Sequence, residues 1–255
     1  MSLNDATAAV PLIESDVEIR TPDGSADACF ARPAKGSAPG VLMWPDIFGL
    51  RPAFREMAKR LARAGYAVIV VNPFYRMKKA PTAEQGSATP TEQLRPLARA
   101  LNAETHTADA KAFVEWLDRQ DAVAKDWRMG TLGYCMGGAI AFRTAAAAPD
   151  RVGAVASFHG AGLVTDKPNS PHLEAAKASA EFLVAIAEND DERAPKDKYV
   201  LRETFAKAEL PAEIEVYPAA HGWCPRDSRV YDEAQAEKAW SRLLALFSRA
   251  LSERR

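Results

Sequence analysis

The stretch Gly133-Tyr-Cys135-Met-Gly137-Gly138 constrains the fold more than any other part of the chain. It follows an apolar, strand-like run, Arg128-Met-Gly-Thr-Leu132. It precedes an alanine-rich, helix-favouring run from Ala139 to Ala148. A strand that turns at once into a helix leaves no room for side chains beside the turning residue, so glycine at 133 and 137 is what such a turn requires. The apical residue, Cys135, stands where serine is usual. It is lifted above the sheet and faces the first turn of the helix, whose free N–H groups favour negative charge.

The rest of the chain fits around that unit. Val17–Arg20 and Ala26–Arg32 flank Thr-Pro-Asp-Gly and read as an antiparallel hairpin. Val41–Trp44 is a short apolar strand. Phe54, Met57, Ala58, Leu61 and Ala62 then share one helical face, and Gly65 ends the helix. Tyr66–Val71, Val152–Ser157 and Phe182–Ala187 are continuous apolar runs, as expected of strands buried on both faces. Helical patterning covers Thr105 to Leu117 and Lys196 to Glu209. Glu213–Tyr217 is the last strand, and a final helix carries Trp240, Leu243, Leu244, Phe247 and Leu251 on one stripe. Alternating strands and helices predict a mostly parallel central sheet with helices on both faces, an α/β class fold, in one domain spanning 1–255. Residues 76–103 contain Pro81, Pro90 and Pro96 with few large apolar residues, and read as a lid-like loop segment.

Charge excludes some functions. Lys plus Arg number 33 and Asp plus Glu 34, a net charge of −1, which gives no reason to expect a nucleic-acid partner. Cys29, Cys135 and Cys224 are too scattered for a disulfide framework or a metal-type Cys-x-x-Cys, so no metal is expected and a reducing compartment is. The N-terminus shows no signal-peptide pattern and no apolar run approaches the roughly 18 residues of a membrane span, so a soluble, cytoplasmic protein is expected.

In open sheets of this type ligands bind beyond the carboxyl ends of the strands, and the chemistry-bearing residues cluster there. A thiol nucleophile needs a base, and the base an orienting acid, in the chain order nucleophile, acid, histidine. His221 follows the last strand at once, in Tyr217-Pro-Ala-Ala-His221-Gly222, and is the candidate base. The acid should follow the strand ending at Ala187, where the chain reads Glu188-Asn189-Asp190-Asp191-Glu192. Position alone does not choose between Asp190 and Asp191. His159, after the strand at 152–157, can face the site or simply pack. His106 and His172 read as solvated. Cys29 reads as structural, and Cys224, three residues past His221, can approach the site. An oxyanion hole needs two converging backbone donors. Met136 N–H, opening the helix, is one, and Ile47 N–H, in the loop Pro45-Asp46-Ile47-Phe48-Gly49, is the other.

With these residues in view the chain resembles the dienelactone hydrolase family (carboxymethylenebutenolidases) of α/β-hydrolases, from about Val17 to the last helix. Gly-Tyr-Cys-Met-Gly-Gly at 133–138 and Asp46-Ile-Phe-Gly49 carry the likeness, the family usually having Glu at the latter's first position. The resemblance implies an α/β-hydrolase fold and hydrolysis of a small-molecule ester or lactone through a thioester, with no cofactor. The family's Asp is followed four residues later by Pro, which fits Asp191 and Pro195. The resemblance therefore implies the triad Cys135, Asp191 and His221. It also implies a thiol-modulating role for Asp46. Substrate carboxylates are bound in the family by arginines, for which Arg76 and Arg226 are the nearest matches, each displaced by one position. Trp223, beside the base, suggests an aromatic wall. Two other readings follow from the same residues: an esterase for a larger or uncharged ester, and a non-catalytic ligand-binding or redox-sensing thiol protein. No oligomeric state is implied.

Overall fold

Thr21 and Gly24 face each other across the tightest point of the hairpin, where β1 (Leu12–Thr21) turns into β2 (Gly24–Pro33). In the computed structural model, which describes residues 11–251, this hairpin forms one edge of an eight-stranded sheet ordered β1-β2-β4-β3-β5-β6-β7-β8. β2 pairs antiparallel with β4 (Ala67–Val71), and every later pairing is parallel, through β3 (Gly40–Trp44), β5 (Met129–Tyr134), β6 (Val152–Phe158), β7 (Glu181–Ala187) and β8 (Ala212–Tyr217). β3, β4, β5 and β6 are buried along their whole length, because helices cover both faces and leave no polar side.

On one face lie α1 (Pro52–Arg63) and α8 (Glu233–Ala250), presenting Phe54, Leu61, Leu243 and Phe247. The other face is covered by α3 (Ala103–Asp118), α4 (Met136–Ala147) and α7 (Asp197–Lys207), where Phe113, Phe142 and Phe205 are buried. Phe142, Phe182 and Phe205 pack ring against ring, with Phe182 and Phe205 stacked at 4.3 Å. α3 begins with a capping box: Asn102 accepts from Thr105 N–H, and Thr105 Oγ1 accepts from Asn102 N–H.

Two sequence expectations need correction. Residues 76–103 are not a plain loop: they hold a 3₁₀ turn at Gly86–Ala88 and α2 (Thr91–Arg99). Leu94 is buried there and anchors α2, although Pro96 lies inside it. On α8 the buried stripe runs through Leu246 rather than Leu244, with Ala239 and Ala250 completing it. The short helices α5 (Pro171–Ala175) and α6 (Glu188–Arg193) complete the set among the described residues.

Candidate active site

Cys135 sits at the sharp turn between β5 and α4 with φ 54° and ψ −122°, a conformation costly for a residue with a side chain. Packing imposes it. A Cβ on Gly133 would lie 1.9 Å from Gly137 O, and one on Gly137 would lie 2.5 Å from Trp44 O. The glycines thus let α4 close against both its own strand and the start of the early loop. Cys135 N–H is shared between Phe158 O (3.1 Å) and His159 Nδ1 (3.2 Å). Met136 is the first residue of α4, so its N–H belongs to the unpaired first turn. Ile47 lies in the turn closed by Gly49 N–H donating to Asp46 O, beside Pro45, whose carbonyl is pressed against Gly137.

His221, the expected base, meets a different carboxylate from the one the family resemblance implied. His221 Nδ1 is 2.5 Å from Asp190 Oδ2, while Asp191 turns away to Lys198 Nζ at 2.6 Å. Both belong to the short helix α6, and adjacent helical residues project about 100° apart, so one faces the base and the other cannot. Asn189 completes the hold by accepting His221 N–H at 2.8 Å. The spacing to Pro195 fits Asp191, yet it is Asp190 that bonds His221. The useful signal is Lys198, a cation that claims Asp191.

Burial opposes charge on His221, but the bond to Asp190, a hydrogen bond with the Cys135 side chain and the charges of both groups raise its pKa to about 10. With Nδ1–H donated to Asp190, Nε2 is left for the thiol. His159 is the opposite case. It is fully buried, and burial together with the nearby His221 charge pushes its pKa well below the ordinary histidine value. Its Nδ1 accepts from Cys135 N–H, so the ring proton resides on Nε2, which has no partner. Its own backbone is held at φ 41°, with its N–H donating to Ala185 O at 2.8 Å. The His159 ring stands edge-on to His221 at 5.0 Å and to Trp223 at 5.1 Å.

The remaining expected site residues are placed as follows. Asp46 is 6% exposed, and its carboxylate is held bidentately by Arg51, at 2.7 and 3.0 Å. Burial raises its pKa and Arg51 opposes that rise. Arg51 also grips Asp227 at 2.7 and 3.0 Å, and Asp227 O accepts from Ser87 Oγ. No local motif marks this buried arginine, yet it ties together the early loop, the loop after His221 and the 76–103 segment. Arg76 is consumed by Asp109 (2.7 and 2.8 Å) and Asp23 (2.6 and 2.9 Å), so it is a structural ion pair and not a free carboxylate receptor. Arg226 is on the surface, hydrogen-bonded to Tyr231. Trp223 is 0% exposed, stacked on Tyr217 at 5.3 Å behind His159, and forms no wall of an open pocket. His106 and His172 are not solvated. Both ring nitrogens of His106 are buried, which lowers its pKa to about 4, and His172 bonds Ser170 Oγ at 2.8 Å. Cys224 is buried, and Cys29 is buried in the hairpin.

Among the described residues no cluster of side chains could hold a metal ion, and no helix is long and apolar enough to cross a membrane. A model of the dienelactone hydrolase family matches residues 26–251. A carboxymethylenebutenolidase of Rhodococcus opacus is 30% identical over 223 residues, covering 85% of this chain and 83% of its own. Another, from Cupriavidus pinatubonensis, is 26% identical and covers 93% and 97%. A solved structure of a candidate dienelactone hydrolase from Klebsiella pneumoniae superposes with a TM-score of 0.82 at 25% identity, over 94% of this chain and 99% of that one.

Proposed function

The chain belongs to the dienelactone hydrolase family and is a hydrolase of ester or lactone bonds; on that premise we propose that Cys135, His221 and Asp190 are its catalytic triad and that it works through a thioester. The observation that carries the reading is His221 held between two partners, Asp190 on Nδ1 and the Cys135 side chain opposite.

In this mechanism Cys135 Sγ, its proton passed to His221, attacks the substrate carbonyl carbon. The oxyanion is received by Met136 N–H and Ile47 N–H. Collapse of the tetrahedral intermediate breaks the C–O bond, and the imidazolium returns the proton to the departing oxygen, which leaves as an alcohol or stays tethered as the opened lactone. Water then attacks the thioester, His221 takes its proton, and thiol and carboxylic acid are released. Asp190 stabilises the imidazolium, and the neutral His159 holds the backbone of Cys135. Asp46, saturated by Arg51, shapes the early loop and does not modulate the thiol directly.

For the substrate, the ion pairs of Arg76 favour a small, uncharged ester or lactone over a carboxylated one, since no arginine of the expected pair is both free and buried. The test is the initial rate on a carboxylated dienelactone, a neutral lactone and 4-nitrophenyl acetate, for the native protein and Cys135→Ala. A cysteine-dependent kcat/KM of about 10⁴ M⁻¹s⁻¹ or more on a neutral substrate is expected. A Cys135→Ala variant retaining most of the rate would reject the mechanism, and a clear preference for the carboxylated substrate would reject the substrate reading alone.

A further inference from the structure

A cavity of ≈ 810 Å³ opens on the opposite side of the sheet plane from α4, between α1 and α8. Its volume lies within the range of small-molecule sites. Neither Cys135 nor His221 lines it, so it is distinct from the candidate active site. Its inner wall is apolar, formed by Met57, Phe158, Trp240 and Leu243, with the Cys224 thiol among them.

Two observations specify the occupant. The first is Tyr134. Its side chain is 3% exposed, wedged between Phe54 and Phe158, and its hydroxyl has no hydrogen-bond partner in the protein although it lines the cavity. The hydroxyl thus faces the cavity with its own donor and acceptor positions unused by the protein, open to a ligand oxygen. The second is the charge at the mouth. The acidic lining residues are all matched: Glu56 by Lys59, Glu84 by Lys78, Asp227 by Arg51 and Glu237 by Arg60. Arg63 and Arg226, both exposed, line the mouth with no ion-pair partner among the described residues, so two unmatched cations stand at the rim. An apolar body, one hydroxyl open to a ligand oxygen and a cationic rim together describe an amphipathic organic anion.

We propose that this cavity is a second ligand site, taking a monocarboxylate with an apolar chain or ring. The site goes beyond the hydrolytic reading and does not depend on it. The carboxylate lies toward Arg63 or Tyr134, and the apolar part packs against Trp240, whose ring already carries Arg60 at 4.0 Å.

The experiment is calorimetric titration of the native protein and of Cys135→Ala with decanoate, and of the native protein with decanol. Decanoate is expected to bind one site with equal affinity in both proteins, and about tenfold more tightly than decanol. Ala239→Trp, which fills the cavity from α8, should abolish binding. Arg63→Glu, an exposed change that leaves the fold intact, should weaken decanoate about threefold or more and leave ester hydrolysis unchanged. Absence of decanoate binding overturns the site. Binding lost in Cys135→Ala, or unaffected by both Ala239→Trp and Arg63→Glu, places the ligand elsewhere and overturns it equally. Decanol binding as tightly as decanoate refutes the anionic class.

Discussion

His221 and His159 stand 5.0 Å apart at the ends of neighbouring loops, yet the chain drives them to opposite protonation states. His221 has a carboxylate, and its pKa rises to about 10 despite burial. His159 has only a backbone N–H and aromatic rings around it, and burial pushes it well below the ordinary value. Burial disfavours charge in both, so the difference lies in Asp190 and the thiol. One imidazole can therefore shuttle a proton in the proposed mechanism while the other serves as a fixed hydrogen-bond acceptor beneath Cys135. The lesson is that position after a strand end brings a histidine to the site, but its partner decides its task.

The contrast breaks most severely if the two histidines prove interchangeable. His221→Ala is expected to lower kcat/KM by about 10⁴-fold or more, because the members of the proposed triad would act as a unit. A His159 variant equally damaging, with an unchanged fold by circular dichroism, would mean that His159 exchanges protons too. Asp190→Asn should cost about 10²–10⁴-fold, whereas Asp191→Asn should change the rate by less than about threefold. Steady-state kinetics of the two variants side by side decide it, and a larger loss for Asp191→Asn would restore the assignment implied by the family spacing.

A smaller effect separates framework from chemistry. Arg51→Met leaves Asp46 buried and unpaired, and should destabilise the protein by about 3–5 kcal/mol in urea titration. An unchanged midpoint would show that the clamp holds nothing. Loss of His159 should be milder. His159→Gln is expected to lower kcat about tenfold with KM little changed, through a misplaced elbow amide worth about 1 kcal/mol. An effect on KM alone would point to substrate contact instead.

The smallest effect is in stability against pH, and the two histidines contribute with opposite sign. His221 is raised in the folded state, so its contribution is full below the ordinary value of 6.5 and is lost as pH rises from there to about 10. His159 is lowered, so the unfolded chain takes up its proton first and stability falls as pH drops below 6.5. Melting temperature across this range should lose its alkaline decline in Asp190→Asn, and its acid decline should shrink in His159→Gln. Parallel curves for both variants and the native protein would remove the contrast.

Much of this was legible in the chain because the constraint was local. Gly133 and Gly137 announce the elbow, since nothing larger fits where Gly137 O and Trp44 O approach. The continuous apolar runs announce buried parallel strands. The nearness of His221 to Cys135 was legible from its place one short loop beyond β8. The contacts that were not legible share a different cause. Asp190 and Asp191 differ by a single step on one helical turn, which no composition signal resolves. The role of Arg51 depends on Asp227, 176 residues away. Arg76 looks available until Asp109, on α3, and Asp23, in the hairpin turn, are brought to it by the fold. Charged groups in particular are committed by distant partners, which tertiary structure alone supplies.

The proposed thioester is tested most directly by acid-quenching a reaction with 4-nitrophenyl acetate within the first turnovers and mapping the modified peptide by mass spectrometry, in the native protein and in Asp190→Asn. One acetyl group on Cys135, formed in both proteins and persisting longer in the variant, is the expected result. Turnover with no acyl group on Cys135 in either protein, or with the acetyl group on another residue, would contradict the assignment of Cys135 as the nucleophile.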